Sequence, residues 1–139
     1  MKKILIILTM LILLSACQKE SNYDKKIGNA KSMNEVIEIN NEEITVKNVW
    51  KSTLEQSTIE GEDIIYIYMD INPDSAFSSA ELWILLEDDT KINAYLIDGL
   101  DYLVGDQRAE DPYVRFSIPK DTMSCLLFFN EEVFVEINM

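Results

Sequence analysis

Between Val36 and Met139 segment after segment places apolar side chains at every second position, and this period constrains the fold more than any other property of the chain. Ile64-Ile65-Tyr66-Ile67-Tyr68-Met69-Asp70-Ile71 is the clearest instance. It places Ile65, Ile67, Met69 and Ile71 on one side and Tyr66, Tyr68 and Asp70 on the other, and Asn72-Pro73-Asp74-Ser75 then breaks the run. Ahead of it, Val36-Ile37-Glu38-Ile39, the turn cluster Asn40-Asn41-Glu42 and Ile44–Trp50 read as two short strands joined tightly, with Ile44, Val46, Asn48 and Trp50 expected on one face. Leu54 to Asp63 is polar and reads as a loop.

Further along, Glu81–Glu87 is nearly continuous apolar sequence, and Asp88-Asp89-Thr90-Lys91 turns it into Ile92–Ile97, which predicts a hairpin. Asp98 to Asp111 is the longest irregular stretch of the body. Pro112 opens a strand in which Tyr113, Arg115 and Ser117 alternate with Val114, Phe116 and Ile118, and Pro119 ends it. Cys125–Phe129, the turn Asn130-Glu131-Glu132 and Val133–Ile137 predict a closing hairpin. Seven or eight short strands with no amphipathic helix of ten residues or more imply an all-β antiparallel sandwich over residues 35–139.

The N-terminus has a different pattern. Lys2-Lys3 precedes an uncharged apolar run from Ile4 to Leu14, whose eleven residues fall well short of the roughly 20 needed to span a bilayer. The run closes on Leu14-Ser15-Ala16-Cys17, which resembles the lipobox of bacterial lipoproteins. The resemblance implies that residues 1–16 are a signal peptide removed before Cys17, and that a diacylglyceryl group is joined to the Cys17 sulfur, leaving the protein anchored at the outer face of the cell membrane. Residues 17–34 mix Ser21, Asn22, Gly28, Asn29, Ser32 and Asn34 with four lysines and show little apolar periodicity, so they read as a flexible tether. Such a tether would hold the domain on the order of 20–25 Å from its lipid.

The body also resembles the immunoglobulin-like domains of unknown function carried by small secreted and lipidated proteins of Gram-positive bacteria. The likeness lies in Ile44-Thr45-Val46-Lys47-Asn48-Val49, in Tyr66-Ile67-Tyr68-Met69-Asp70-Ile71-Asn72 and in Arg115-Phe116-Ser117-Ile118-Pro119-Lys120, and it covers residues 36–139. It implies an immunoglobulin-like sandwich and transfers no catalytic positions. The paired core cysteines of antibody-type domains are missing.

Charge and residue counts narrow the function. The chain carries a net charge of −13, distributed unevenly. Residues 17–34 hold Lys19, Lys25, Lys26 and Lys31 against Glu20 and Asp24, whereas the chain from Glu35 onward holds 23 acidic and six basic residues. A strongly acidic body argues against nucleic acid, whose phosphates need basic patches, and suits a protein or cationic peptide partner. Histidine is absent, which removes the usual Ser-His and Cys-His nucleophile pairs and imidazole metal sites. Cys125 lies in an apolar run with no base nearby, so it is expected to be a buried, inert thiol, and the chain is not expected to be an enzyme.

Two site candidates remain. Tyr66, Tyr68 and Tyr113 fall on faces away from the inferred core and are expected to contact a partner, since tyrosine suits a surface that is part apolar and part wet. Asp98, Asp101 and Asp106 crowd one loop and offer oxygen ligands to Ca2+ or a cationic solute, although no EF-hand register is present. The expected function is a lipid-anchored extracytoplasmic binding module, of an immunity or envelope-accessory kind, with the calcium-binding envelope protein as the alternative.

Overall fold

The computed structural model of the chain describes residues 20–56, 60–71, 81–94 and 113–139. One short helix, α1 (Asn22–Ile27), precedes eight strands: β1 (Val36–Ile39), β2 (Glu42–Gln56), β3 (Glu62–Ile71), β4 (Trp83–Leu86), β5 (Lys91–Asn93), β6 (Tyr113–Pro119), β7 (Ser124–Phe128) and β8 (Phe134–Asn138). They form two antiparallel four-stranded sheets, ordered β1-β2-β3-β6 and β5-β4-β7-β8, so the sandwich expected from the period-two pattern is the observed architecture.

The inner faces build one core. Ile37, Ile39, Ile44, Val46, Ile65, Ile67, Met69, Val114, Phe116 and Ile118 of the first sheet meet Ile84, Leu86, Cys125, Leu127, Val135 and Ile137 of the second, all buried. In β3 every member of the predicted inward set, Ile65, Ile67, Met69 and Ile71, is 7% exposed or less. The β1–β2 turn is a two-residue hairpin, since Ile39 pairs with Glu42. Asn40 and Asn41 both take positive φ, 54° and 65°, as the twist of a tight hairpin demands and as asparagine tolerates.

Two local expectations are overturned. Leu54–Asp63 is not simply a loop, because β2 continues to Gln56 and pairs it with Asp63 of β3. The facing assigned to Asn48 and Trp50 is also wrong. Val46 pairs with Met69 and Asn48 with Tyr68, two consecutive residues of β3, so Lys47 is an extra residue in β2. One inserted residue reverses the alternation that follows it. Ile44 and Val46 point into the core, but beyond the bulge Val49 packs against the core and Trp50 is 43% exposed.

The larger correction concerns the flexible tether assigned to residues 17–34. From Glu20 onward this stretch belongs to the folded domain. Ser21 caps α1, its Oγ accepting from the Asp24 N–H at 2.9 Å, and the Asp89 carboxylate accepts from the backbone N–H groups of Asn22 and Tyr23, each at 2.9 Å. Asp89 sits in the β4–β5 turn at φ 67°, a left-handed position that aspartate tolerates. Tyr23 is 4% exposed and packs with Leu85, Leu126, Phe128 and Phe134 on the outer face of the second sheet, joined by Ile27 and Ala30. The chain then runs along β8: the Lys31 N–H donates to the Phe134 carbonyl at 3.0 Å, and the Glu136 N–H donates to the Lys31 carbonyl at 2.8 Å. Asn34 N–H reaches the Val46 carbonyl at 2.8 Å and so ties the segment to the first sheet. The near-continuous apolar runs of β4 and β7 follow from this cover, because those strands are buried on both faces.

The sandwich has two distinct ends. The β4–β5 turn, the β6–β7 connection, the start of β3 and Asn138 share one end, where α1 begins; the Asn40-Asn41 turn, the β7–β8 turn and the start of β6 share the other.

Candidate functional site: an aromatic face on the first sheet

The outer face of the first sheet carries two cross-strand rows. Trp50 of β2 lies opposite Tyr66 of β3, which lies opposite Arg115 of β6; one rung along, Asn48, Tyr68 and Tyr113 align in the same way. Strand pairing places facing residues about 5 Å apart, close enough for their rings to touch. The ring centroids of Trp50 and Tyr66 are 5.4 Å apart, those of Tyr66 and Tyr113 5.3 Å, and those of Tyr68 and Tyr113 5.7 Å. The Arg115 guanidinium lies 5.8 Å from the Tyr66 centroid, within cation–π range.

Within this group Tyr66 is buried, at 7%, and Arg115 nearly so, at 9%, while Tyr68 and Tyr113 are half-buried. Trp50 is one of the few large apolar side chains left exposed among the described residues. The three sequence-predicted tyrosines therefore do come together, with Tyr66 as the packed centre and Tyr68 and Tyr113 as its accessible flank. The rings are tilted against one another by 38°, 63° and 56°, so they present a ridged surface rather than a flat platform. Ridges of aromatic carbon with phenol oxygens among them suit interdigitating protein side chains. A charged pair borders the surface, Asp70 with Lys47 at 3.8 Å.

Sequence reasoning missed Trp50, because an alternation counted through Lys47 puts it in the core. Arg115 was legible as a neighbour of Tyr113 on the outer side of β6 but carries no signal of its packing on Tyr66.

A second aromatic group lies on the other sheet. Trp83 stacks on Phe128 with centroids 3.8 Å apart and planes 6° apart, and Phe128 stacks on Phe134 at 4.7 Å. Lys91 Nζ lies 4.0 Å from the Trp83 ring centroid, and Lys26 Nζ lies farther off, 5.2 and 5.3 Å from the Phe128 and Phe134 centroids. This group is covered by α1. Beside it the Tyr23 hydroxyl meets Ser124 Oγ at 2.8 Å, and Ser124 donates to Glu87 at 2.6 Å. Burial pushes the Tyr23 phenol above its usual range.

The remaining candidates stand as follows. Cys17 and the loop carboxylates Asp98, Asp101 and Asp106 lie outside the described residues. Among the described residues no cluster of three metal-ligating side chains occurs, and no helix is long and apolar enough to cross a membrane. Cys125 is fully buried, and burial pushes its thiol up to about 12. A group held so firmly as the thiol is a poor nucleophile. Comparisons with protein families, with curated proteins and with solved structures return no match.

Proposed function

We propose that the protein is a lipid-anchored, extracytoplasmic binding module whose aromatic face holds a protein or peptide partner. The observation that carries this reading is the convergence of Trp50, Tyr66, Tyr68 and Tyr113 on the outer face of one sheet, with a 43% exposed tryptophan in tilted ring contact with a buried tyrosine. Exposed tryptophan and tyrosine held by packed neighbours are the residue types that dominate binding energy when a partner removes them from water. The mutual tilt of the rings favours side-chain ridges over the flat face of a sugar. The anchor is supported by Leu14-Ser15-Ala16-Cys17 behind a short apolar run. The acidic body supports a cationic partner, and a cationic peptide would make the role one of immunity.

Covalent cross-linking in intact cells, followed by identification of the captured partner, tests this reading when the native chain is compared with Trp50→Ala and Tyr68→Ala. The partner should be captured by the native chain and lost, or reduced tenfold or more, in either variant, since an anchor residue removed from an interface costs about 2 kcal/mol or more. Equal capture by all three chains would refute the assignment of this face.

A further inference from the structure

We infer that docking of the N-terminal segment decides which face of the domain meets the bilayer. The α1-bearing face lies towards lipid, and the aromatic face looks away from it into the extracytoplasmic space, so the partner approaches from that side and is not the membrane itself. This rests on the Cys17 anchor proposed above. The competing arrangement is a real one, because tryptophan and tyrosine are also the side chains that settle at the membrane–water interface.

Chain length separates the two. Between Cys17 and the α1 cap at Ser21 there are four peptide steps, which reach at most about 14 Å. From Ser21 onward the chain is fixed: Asp89 binds the first N–H groups of α1, Tyr23 is buried beneath the helix, and Lys31 is bonded to β8. The anchor therefore leaves the molecule from the outer side of the second sheet. The aromatic face is on the outer side of the first. A helix is about 10 Å thick and packed sheets lie about 10 Å apart, so the route from Ser21 to the aromatic face exceeds roughly 20 Å even before it rounds the sandwich edge. A four-residue leash does not cover that distance. A seventeen-residue free tether, reaching up to about 60 Å, would have covered it easily and left both orientations open.

The test uses the full lipidated chain in phosphatidylglycerol–phosphatidylcholine vesicles. With Trp83→Phe, Trp50 is the sole tryptophan, and its emission should be the same in vesicles with and without brominated acyl chains while remaining open to quenching by acrylamide. In the otherwise native chain, a dye on Lys25→Cys, on the exposed side of α1, should transfer energy to headgroup acceptors more strongly than the same dye on Trp50→Cys; Cys125 is buried and should not take the label. Quenching of Trp50 by brominated lipid, or stronger transfer from position 50 than from position 25, would overturn the placement while leaving the anchor intact. A chain that does not sediment with vesicles and lacks the lipid mass would overturn the anchor, and the placement with it.

Discussion

Replacing Tyr23 with alanine is the sharpest perturbation the structure offers, because it separates a docked N-terminal segment from a tether. The side chain is 4% exposed, its ring lies among Leu85, Leu126, Phe128 and Phe134, and its hydroxyl bonds Ser124 at 2.8 Å. A buried aromatic removes roughly 150–250 Å² from water, about 4–6 kcal/mol at 25 cal/mol per Å². Measured aromatic-to-alanine truncations give about 3–5 kcal/mol, and we take that range. Against a domain stability of about 5–15 kcal/mol, the loss is large. It need not fall on the whole fold, however. If it exceeds the docking free energy of the segment, α1 leaves and the sandwich stays folded with a bare apolar face, so the apparent global loss is smaller. Hydrogen exchange across residues 22–31, urea unfolding and binding of an apolar dye together cover both cases. Tyr23→Ala should accelerate exchange in this segment at least a hundredfold, by about 3 kcal/mol, and should either lower the urea midpoint or raise dye binding. Tyr23→Phe should lose only about 1 kcal/mol. Native-like exchange and unfolding in Tyr23→Ala would refute the reasoning.

Further outcomes follow from other contacts. Lys47 deletion should keep the β2–β3 register and cost little, because Val46 and Asn48 already face consecutive β3 residues, whereas deleting Val49 should slip the strand and unfold it; circular dichroism melting of the two variants distinguishes them. Acid should loosen the N-terminal segment first. Backbone donation from Asn22 and Tyr23 holds the Asp89 carboxyl below its usual range, and the Lys31 side chain and Ser32 N–H do the same for Glu35. Groups lowered on folding add stability above their unfolded value, near pH 4, and lose it as pH falls through the folded value, so exchange at residues 22–35 should rise below pH 4 before the core melts. At the alkaline end the sign reverses. Cys125 is raised from 9.0 to about 12 and Tyr23 is raised from 10.0, so their contribution is complete below about pH 9 and declines as pH climbs towards 12, which a series of urea midpoints should show. At pH 8 the Cys125 thiol should react with a thiol reagent only after unfolding.

The parts of the fold that the sequence made legible are those where period two runs uninterrupted. Ile65 to Ile71 and Val114 to Ile118 bury the residues their alternation selects, and the turns at Asn40-Asn41, Asp88–Lys91 and Asn130–Glu132 fall where turn chemistry puts them. What escaped were features that depend on partners distant in sequence. The bulge at Lys47 leaves no mark in composition, since nothing in Val46-Lys47-Asn48 forces an extra residue, and Trp50 was misplaced in consequence. The docking of α1 was hidden for a similar reason. Ser21-Asn22-Tyr23-Asp24 is polar and short, and its helix is held by Asp89, 67 residues away, and by an apolar face that belongs to another sheet. A cue was nonetheless present: β7 reads Cys125-Leu126-Leu127-Phe128-Phe129, apolar on both faces, so something had to cover Leu126 and Phe128. The tyrosine site was half legible, since the strands give the facing of Tyr66, Tyr68 and Tyr113 but not their mutual contact or the guanidinium beside them.

The proposed anchor predicts how the mature polypeptide begins, and the mass of the chain extracted from membranes measures that directly. It should equal the sequence starting at Cys17 plus a diacylglyceryl group on that sulfur. A chain still beginning at Met1, or one starting at Cys17 with a free thiol, would contradict the anchored module and the orientation drawn from it.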